Sequence, residues 1–243
     1  MPRIMTYNVH RCVGVDGKLD VGRVAAVIAQ CRPDIVALQE LDVCRARTGT
    51  VDQAHAIAHR LGMAFHFHAA VQVQEERYGD AILTTAPLRL IKAAALPGSS
   101  SIRALEPRGA LWLELEIGGR GLQVLNTHLG LVPHEQRAQA SALVGADWIG
   151  GGERRDPMIL LGDFNATPYA STYRTLARTL KDARQLCPAA RASRTFPSRF
   201  PMLAIDHMFV SEGIQVQSVR AVTAPLARSA SDHLPLVVDF SFS

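Results

Sequence analysis

The chain has 243 residues, 48% of them apolar and 20% charged, values that exclude a disordered or fibrous polypeptide. Its 26 lysines and arginines against 22 acids leave a net charge of +4, which admits a polyanionic partner such as a nucleic acid or a phosphate ester without demanding one. No apolar stretch approaches the ~20 residues of a membrane span, nothing near Met1 resembles a signal peptide and the four cysteines have no CxxC spacing, so a reduced, cytoplasmic setting is expected.

Along the chain, Arg3 to Val9 is a β-rich run. Asp20 is placed to cap a helix reaching Cys31, with Val24, Val27 and Ile28 at helical spacing. Pro33 ends it, and Asp34 to Leu38 is a short apolar strand of the kind buried on both faces. Val51 to Leu61 reads as a second helix with Gly62 at its C-terminal end. Strands are then expected at Met63 to Val71, Asp80 to Thr84, Leu88 to Leu96 and Ala110 to Ile117, with Gly118 to Gly121 a hairpin turn into Leu122 to Leu129. Pro133 opens a helix to Ile149, Gly150 to Asp156 is a connector, and Met158 to Gly162 is a buried strand. A helix over Ser171 to Leu180 and strands over Met202 to Val210, Ile214 to Val222 and Leu234 to Phe240 complete the pattern. The triple glycine at 150–152 has a linker's composition, but chemistry-bearing residues lie on both sides of it, so a single domain over 1–243 is expected. Its halves echo each other: a helix, a Pro–Asp or Asp–Pro pair, then an apolar strand ending in an acid, Glu40 or Asp163.

Polar residues recur at the ends of these strands. Asn8 follows Ile4 to Tyr7, Glu40 follows Ile35 to Gln39, and His128 follows Val124 to Thr127. Asp163 follows Ile159 to Gly162, with Asn165 two residues on; Asp206-His207 lies inside Leu203 to Val210, and Asp232-His233 precedes Leu234 to Val238. A carboxylate carried into an apolar interior must be paired, hydrogen-bonded or metal-bound. One such residue is ordinarily a satisfied strand-end group, but so many together point to one acidic pocket at the strand ends, where α/β sheets place their sites. The oxygens of Asn8, Glu40, Asp163 and Asp232 suit Mg²⁺ or Mn²⁺. Zinc is disfavoured without HExxH or CxxC; His66-x-His68 reads as the wetter face of a strand, and His55 and His59 as a helix-surface pair. There is no G-x-S-x-G elbow, and Gly17-Lys18-Leu19 is not a phosphate-binding loop.

At these residues the chain resembles the endonuclease/exonuclease/phosphatase family, which includes deoxyribonuclease I, neutral sphingomyelinases and inositol-polyphosphate phosphatases. The resembling motifs are T-Y-N-V-H from Thr6, L-Q-E-L-D from Leu38, G-D-A-I-L-T from Gly79, N-T-H-L from Asn126, L-G-D-F-N-A-T-P from Leu161, I-D-H-M-F-V from Ile205 and S-D-H-L-P-L from Ser231. The resemblance implies a deoxyribonuclease I-like four-layer α/β sandwich, two mostly antiparallel mixed sheets packed face to face with helices outside. It implies an Mg²⁺-dependent phosphoester hydrolase, with Mn²⁺ as substitute. Glu40 then resembles the main metal ligand, helped by Asn8 and Asp232. Asp163 resembles the residue that orients or deprotonates water, and Asn165 the one that positions water or phosphate. Asp206 resembles the acid that orients His233, which contacts the scissile phosphate. His128 resembles the acid or phosphate ligand of the deoxyribonuclease and sphingomyelinase branches; apurinic endonucleases carry tyrosine there, which disfavours that branch.

Arg108 and Arg199 are read as phosphate clamps, against the plain alternative of surface arginines, and Glu76-Arg77-Tyr78 resembles a deoxyribonuclease segment that touches the nucleic-acid backbone. His207 stands where family members often carry tyrosine or phenylalanine, and is either an inert strand residue or a further substrate contact. The first expectation for the substrate is DNA or RNA, cleaved by a monomeric phosphodiesterase or endonuclease. The alternative is a small or lipid-headgroup phosphate ester, to be decided by loops such as Arg191 to Met202. An inactive phosphate-binding module is a remote third reading.

Overall fold

In the computed structural model, which describes residues 1–98, 106–187 and 193–243, the apolar runs pair into two six-stranded sheets. In chain order the first elements are β1 (Arg3–Asn8), α1 (Val21–Cys31), β2 (Ile35–Val43), α2 (Gln53–Leu61), β3 (Ala64–Val73), β4 (Glu76–Thr84) and β5 (Leu88–Ala95). They are followed by β6 (Gly109–Ile117), β7 (Arg120–His128), α3 (Pro133–Val144), β8 (Met158–Asp163), α4 (Ser171–Ala177) and β9 (Lys181–Asp182). The last are α5 (Ala183–Leu186), β10 (Asp206–Val210), β11 (Ile214–Ala221), α6 (Pro225–Ala230) and β12 (Leu236–Phe242).

The sheets run β11-β12-β1-β2-β4-β3 and β5-β6-β7-β8-β10-β9. Each contains one parallel pair, β1–β2 and β7–β8, joined through α1 and α3 respectively. The loose echo between the halves is therefore a repeated strand–helix–strand unit, one per sheet. Alternation along the strands divides the core in three. Ile4, Ile35, Leu113, Val124 and Ile159 face the opposite sheet; Met5, Val36 and Leu38 pack under α1 and α2; Leu125 and Leu160 pack under α3 and α4. A strand covered on both faces has no polar side, which is why these segments read as continuous apolar runs.

Local chemistry sets most of the boundaries. The Asp20 carboxylate accepts from the Arg23 amide at 2.8 Å and caps α1, and Asp52 caps α2 through the His55 amide at 2.9 Å. Gly118 and Gly119, at φ +60° and +78°, form a two-residue hairpin joining Ile117 to its partner Arg120. Four expectations need correction. The helix from Pro133 stops at Val144 rather than Ile149, because turns closed by Trp148 N and Gly150 N on the Gly145 carbonyl bring Trp148 against Trp112. The helix from Ser171 stops at Ala177, and β9 and α5 follow where no element is expected. The last helix, α6, opens on Pro225 and also lies outside the expected pattern. Finally, β10 begins at Asp206, not Met202; the preceding segment is a loop closed by a bridge between Phe196 and Leu203.

The strand through Glu40 does not end there. Pairing of β2 with β4 jumps from Leu38–Ala81 to Leu41–Gly79, so Gln39 and Glu40 together oppose Asp80, and Glu40 takes a left-handed φ of +61°. Such a bulge re-aims a side chain and leaves backbone groups unpaired. They are satisfied from the other sheet: the buried Asn126 amide donates to the Leu38 and Ala81 carbonyls, both at 3.0 Å, and its oxygen accepts from Gln39 Nε2 at 2.8 Å. Among the described residues, no helix is long and apolar enough to cross a membrane.

Asn126→Leu keeps the branched shape but strands two carbonyls at about 1–3 kcal/mol per buried group, while the Gln39 amide keeps Thr6 Oγ1 and the Ala37 carbonyl. A loss of about 3 kcal/mol is expected, lowering Tm by roughly 6–12 °C, measurable by thermal and urea unfolding.

Candidate active site

Strand register assembles the first part of the site. In the second sheet His128 on β7 lies opposite Asp163 on β8, and Asp163 lies opposite Asp206 on β10, so three chemistry-bearing residues sit side by side on adjacent strands. Gly162 precedes Asp163 at φ +144°, where an added Cβ would lie 1.8 Å from the Thr127 carbonyl oxygen; only glycine lets the two strands close there. Just beyond the strand, the Asn165 amide turns back onto Asp163 Oδ1 at 2.9 Å, and Asn165 Nδ2 donates to the Leu129 carbonyl at 3.0 Å.

The first sheet supplies Asn8 and the re-aimed Glu40. Asn8 Nδ2 donates to Glu40 Oε1 at 2.9 Å and to Asp163 Oδ2 at 3.0 Å, so one amide draws together carboxylates from both sheets. Its oxygen accepts from the His10 amide at 3.0 Å. The loop before β12 brings the remaining residues: the Ser231 hydroxyl donates to the Asn8 carbonyl at 2.8 Å, Asp232 faces the cavity with its side chain 39% exposed, and His233 turns inward. His233 Nδ1 lies 3.0 Å from Asp206 Oδ2 and Nε2 lies 3.6 Å from Asp163 Oδ2, with the Phe196 ring against it.

The charges follow from burial and neighbours. Burial opposes a charged His233, but Asp206 and Asp163 outweigh it and push the imidazole up to about 10. Burial likewise works against Asp206, and its bond to His233 still holds it below the usual carboxylate range. Asp163 is pushed up by burial and by the nearby Asp206, with His233 opposing. Burial and then the adjacent Arg108 hold His128 well below its ordinary value, hence neutral. Arg108 NH1 lies 3.0 Å from His128 Nδ1, while Asn165 Nδ2 lies 3.1 Å and Asp163 Oδ2 3.5 Å from Nε2, so the neutral ring meets a donor at each nitrogen and accepts from one of them. Beneath Glu40, burial raises the Asp80 carboxyl to about 8.

Asp163, Asp206 and His233 offer ligand atoms within 4.8 Å of one another. A ring committed through Nδ1 to Asp206 and held protonated is, however, a poor metal ligand, since metals take neutral imidazole. The better fit is the oxygen set around Asn8: Glu40 and Asp163 converge on one amide nitrogen, and two like charges that close are relieved by a hard cation. These residues border a cavity of about 490 Å³.

Of the other expected residues, Arg108 reaches this cavity and is tied to Glu106 at 3.1 Å. Arg199 does not: it is exposed, its guanidinium 3.4 Å from the Val15 carbonyl. His207 is fully buried behind the site; Nε2–H donates to the Ala166 carbonyl at 2.8 Å and Nδ1 accepts from Arg184 at 3.2 Å, which makes it a strand residue. From the Glu76-Arg77-Tyr78 segment only Tyr78 lines the cavity; Glu76 pairs with Arg45 and Arg77 lies over Phe67. Sequence reasoning missed Arg11, Arg47, Glu106, Leu131, Leu203 and Ile205 in the lining of the cavity. Of the loop expected to decide the substrate, Arg191 and Ala192 lie outside the described residues.

The endonuclease/exonuclease/phosphatase family model matches residues 5–233. The chain is 26% identical over 247 residues to the uncharacterized protein YbhP of Escherichia coli K12, covering 96% of this chain and 94% of that one. Its fold is similar to that of the mannosyl-6-phosphatase of Bacteroides thetaiotaomicron VPI-5482, with TM-score 0.79, 20% identity and 100% of both chains covered. It is also similar to the human Nocturnin catalytic domain with bound sulfate, with TM-score 0.72, 23% identity, 100% of this chain and 93% of that one covered.

A base whose pKa is raised on folding contributes stability that is complete below its unfolded value of about 6.5 and lost as pH rises through the folded one. The excess unfolding free energy of wild type over His233→Gln should therefore shrink from pH 7 toward pH 10, as read by urea titration; a constant difference would contradict a charged His233.

Proposed function

The chain belongs to the endonuclease/exonuclease/phosphatase family of phosphoester hydrolases, and from that premise we propose that it cleaves a compact phosphate ester by direct attack of water, with a hard divalent cation, Mg²⁺ or Mn²⁺. The observation that carries this reading is the contact of Asp163 and Asp206 with a single charged His233, beside the carboxylate of Glu40. Glu40 and Asp232 would hold the cation, with Asn8, whose nitrogen faces the carboxylates and whose oxygen holds the His10 amide, positioning Glu40. When bound, the cation polarises a non-bridging oxygen and offsets charge developing on phosphorus.

The chain's own groups do the rest. Asp163 orients water and takes its proton as the oxygen attacks phosphorus. This requires an ionised Asp163, which the His233 charge favours against burial. Asp206 fixes the imidazolium so that its Nε2–H, the one not spent on Asp206, meets a phosphate oxygen, an orienting role like that of the acid in a hydrolytic triad. His128, held neutral, has no spare proton to give as an acid, which shifts the acid role toward His233. Asn165 braces the phosphate or the water. The inter-sheet core, built from residues of both halves of the chain, supports one domain over 1–243.

A cavity of about 490 Å³ has the size of a small-molecule site, and its lining combines Arg11, Arg47 and Arg108 with Leu131, Leu203 and Ile205. This favours a compact ester over the nucleic-acid expectation, which draws on a net charge of +4 and on the resemblance of His128 to the deoxyribonuclease branch.

Asp163→Asn should lower kcat by ~10²–10⁴ with the fold intact, measured on p-nitrophenyl phosphate and bis(p-nitrophenyl) phosphate; near-normal turnover would refute the assignment. Chelation should abolish turnover, with Mg²⁺ or Mn²⁺ restoring it and Zn²⁺ failing to do so.

A further inference from the structure

Directly after Asn8 the backbone enters a left-handed turn, with His10, Arg11 and Cys12 at φ +46°, +56° and +58°. Non-glycine residues rarely take this conformation, and three in succession persist only where surrounding contacts enforce it. Here they do. The Asn8 side chain holds the His10 amide, Cys12 is fully buried in the core under α1, and the Arg11 carbonyl accepts from Gln53 Nε2 at 2.7 Å.

The turn delivers Arg11 to the cavity wall. Arg11 NH2 donates to His10 Nε2 at 2.6 Å, and the other ring nitrogen, Nδ1, donates to the Val13 carbonyl at 3.2 Å. His10 thus positions the guanidinium without neutralising it. Arg11 makes no ion pair among the described residues, and residues 99–105 and 188–192, outside the description, contain no acid. Its Nε is buried and has no partner among the described residues. The neighbouring cations are committed: Arg108 to Glu106, and Arg47 to Asp42 through two bonds of 2.8 and 2.7 Å. Gln53 ties the two arginine-bearing segments together, since its Oε1 accepts from the Asp42 amide at 2.9 Å while its Nε2 holds the Arg11 carbonyl.

We propose that Arg11 is a second anion subsite, so that the substrate carries, besides the scissile phosphate, another phosphate-like group within the same compact molecule. This rests on the hydrolase reading above and adds specificity to it. A planar guanidinium with uncommitted donors matches the oxygens of a phosphate, and its charge balances a group that the carboxylates around Asn8 would repel. Arg11 is here a specificity-determining residue and His10 a positioning residue.

Binding tests this without chemistry. The full chain carrying Asp163→Asn is titrated calorimetrically, with Mg²⁺, against glucose 6-phosphate and glucose 1,6-bisphosphate. The bisphosphate is expected to bind at least tenfold more tightly. Adding Arg11→Met should weaken bisphosphate binding ~10–100-fold, the range for a charge-assisted contact, and bring the two ligands close together. Arg11→Lys, which keeps the charge but not the fork, should recover part of the preference; it also stands in should Arg11→Met fail to fold by circular dichroism. His10→Phe should lower the preference while that of the parent protein persists. Equal affinities in the parent, no bisphosphate binding, or a preference that survives Arg11→Met would overturn the subsite. A twelve-residue oligodeoxynucleotide that binds more tightly than the bisphosphate and depends on Arg11 would overturn the compact substrate in favour of a strand. Failure of the hydrolase reading shows separately, as absent turnover of p-nitrophenyl esters by wild type.

Discussion

Asp163 and Asp206 are each 1% exposed, and a bare carboxylate in such surroundings costs several kcal/mol to keep charged. His233 stands between them, 3.0 Å from one and 3.6 Å from the other. At an effective dielectric of ~20, each attraction at such distances is worth of order 5 kcal/mol, enough to keep the ring protonated despite its own burial. Asp206 and His233 sustain one another as an anion–cation pair, and the same cation works against the burial that pushes Asp163 up. The rest of the site depends on this, because the acid that would handle water stays ionised only while the imidazolium faces it.

That cluster exists because three pieces of chain are held to one another. The register of β7, β8 and β10 aligns His128, Asp163 and Asp206, which costs nothing beyond sheet formation. His233 comes from a loop instead, anchored by the Ser231 hydroxyl on the Asn8 carbonyl and by Phe196 against the ring. Glu40 is delivered by a bulge, and the bulge is tolerated because Asn126 reaches across from the other sheet to satisfy the carbonyls it frees. Fold stability and site geometry thus share the same buried amides: loosening Asn126 or Gln39 would loosen Glu40.

The cavity divides its cations by what they already hold. Burial and Arg108 keep His128 neutral, so the two histidines facing Asp163 carry different charges, one a neutral ring and the other an imidazolium. Arg47 is spent on Asp42 and packs over Tyr78 at 5.4 Å. Arg184, behind the site, supports the Asp206 carbonyl at 2.8 Å and orients His207. Of the three arginines that line the cavity, Arg11 is bonded to a histidine ring and to no acid among the described residues, which separates a residue placed for a ligand from residues placed for the fold.

Much of this was legible in the amino-acid order. Period-two and continuous apolar runs marked most strands, Asp20 and Gly62 marked helix ends, and the recurrence of Asn8, Glu40, His128, Asp163 and His233 beside apolar runs pointed to one pocket, since buried polar groups must find partners. Other features were not legible. A bulge at Glu40, a left-handed turn at Arg11, and the short α5 and α6 have no local periodicity to announce them; each is stabilised by contacts with residues tens of positions away. Whether an arginine is a clamp or a surface charge is equally non-local: Arg108 and Arg199 look alike in the chain, and only the acid or carbonyl beside each in space tells them apart. By itself the sequence determined which side chains had to be hidden and therefore paired. Tertiary structure decided with what, because hydrogen bonds and ion pairs act over a few ångströms in space, whatever the distance along the chain.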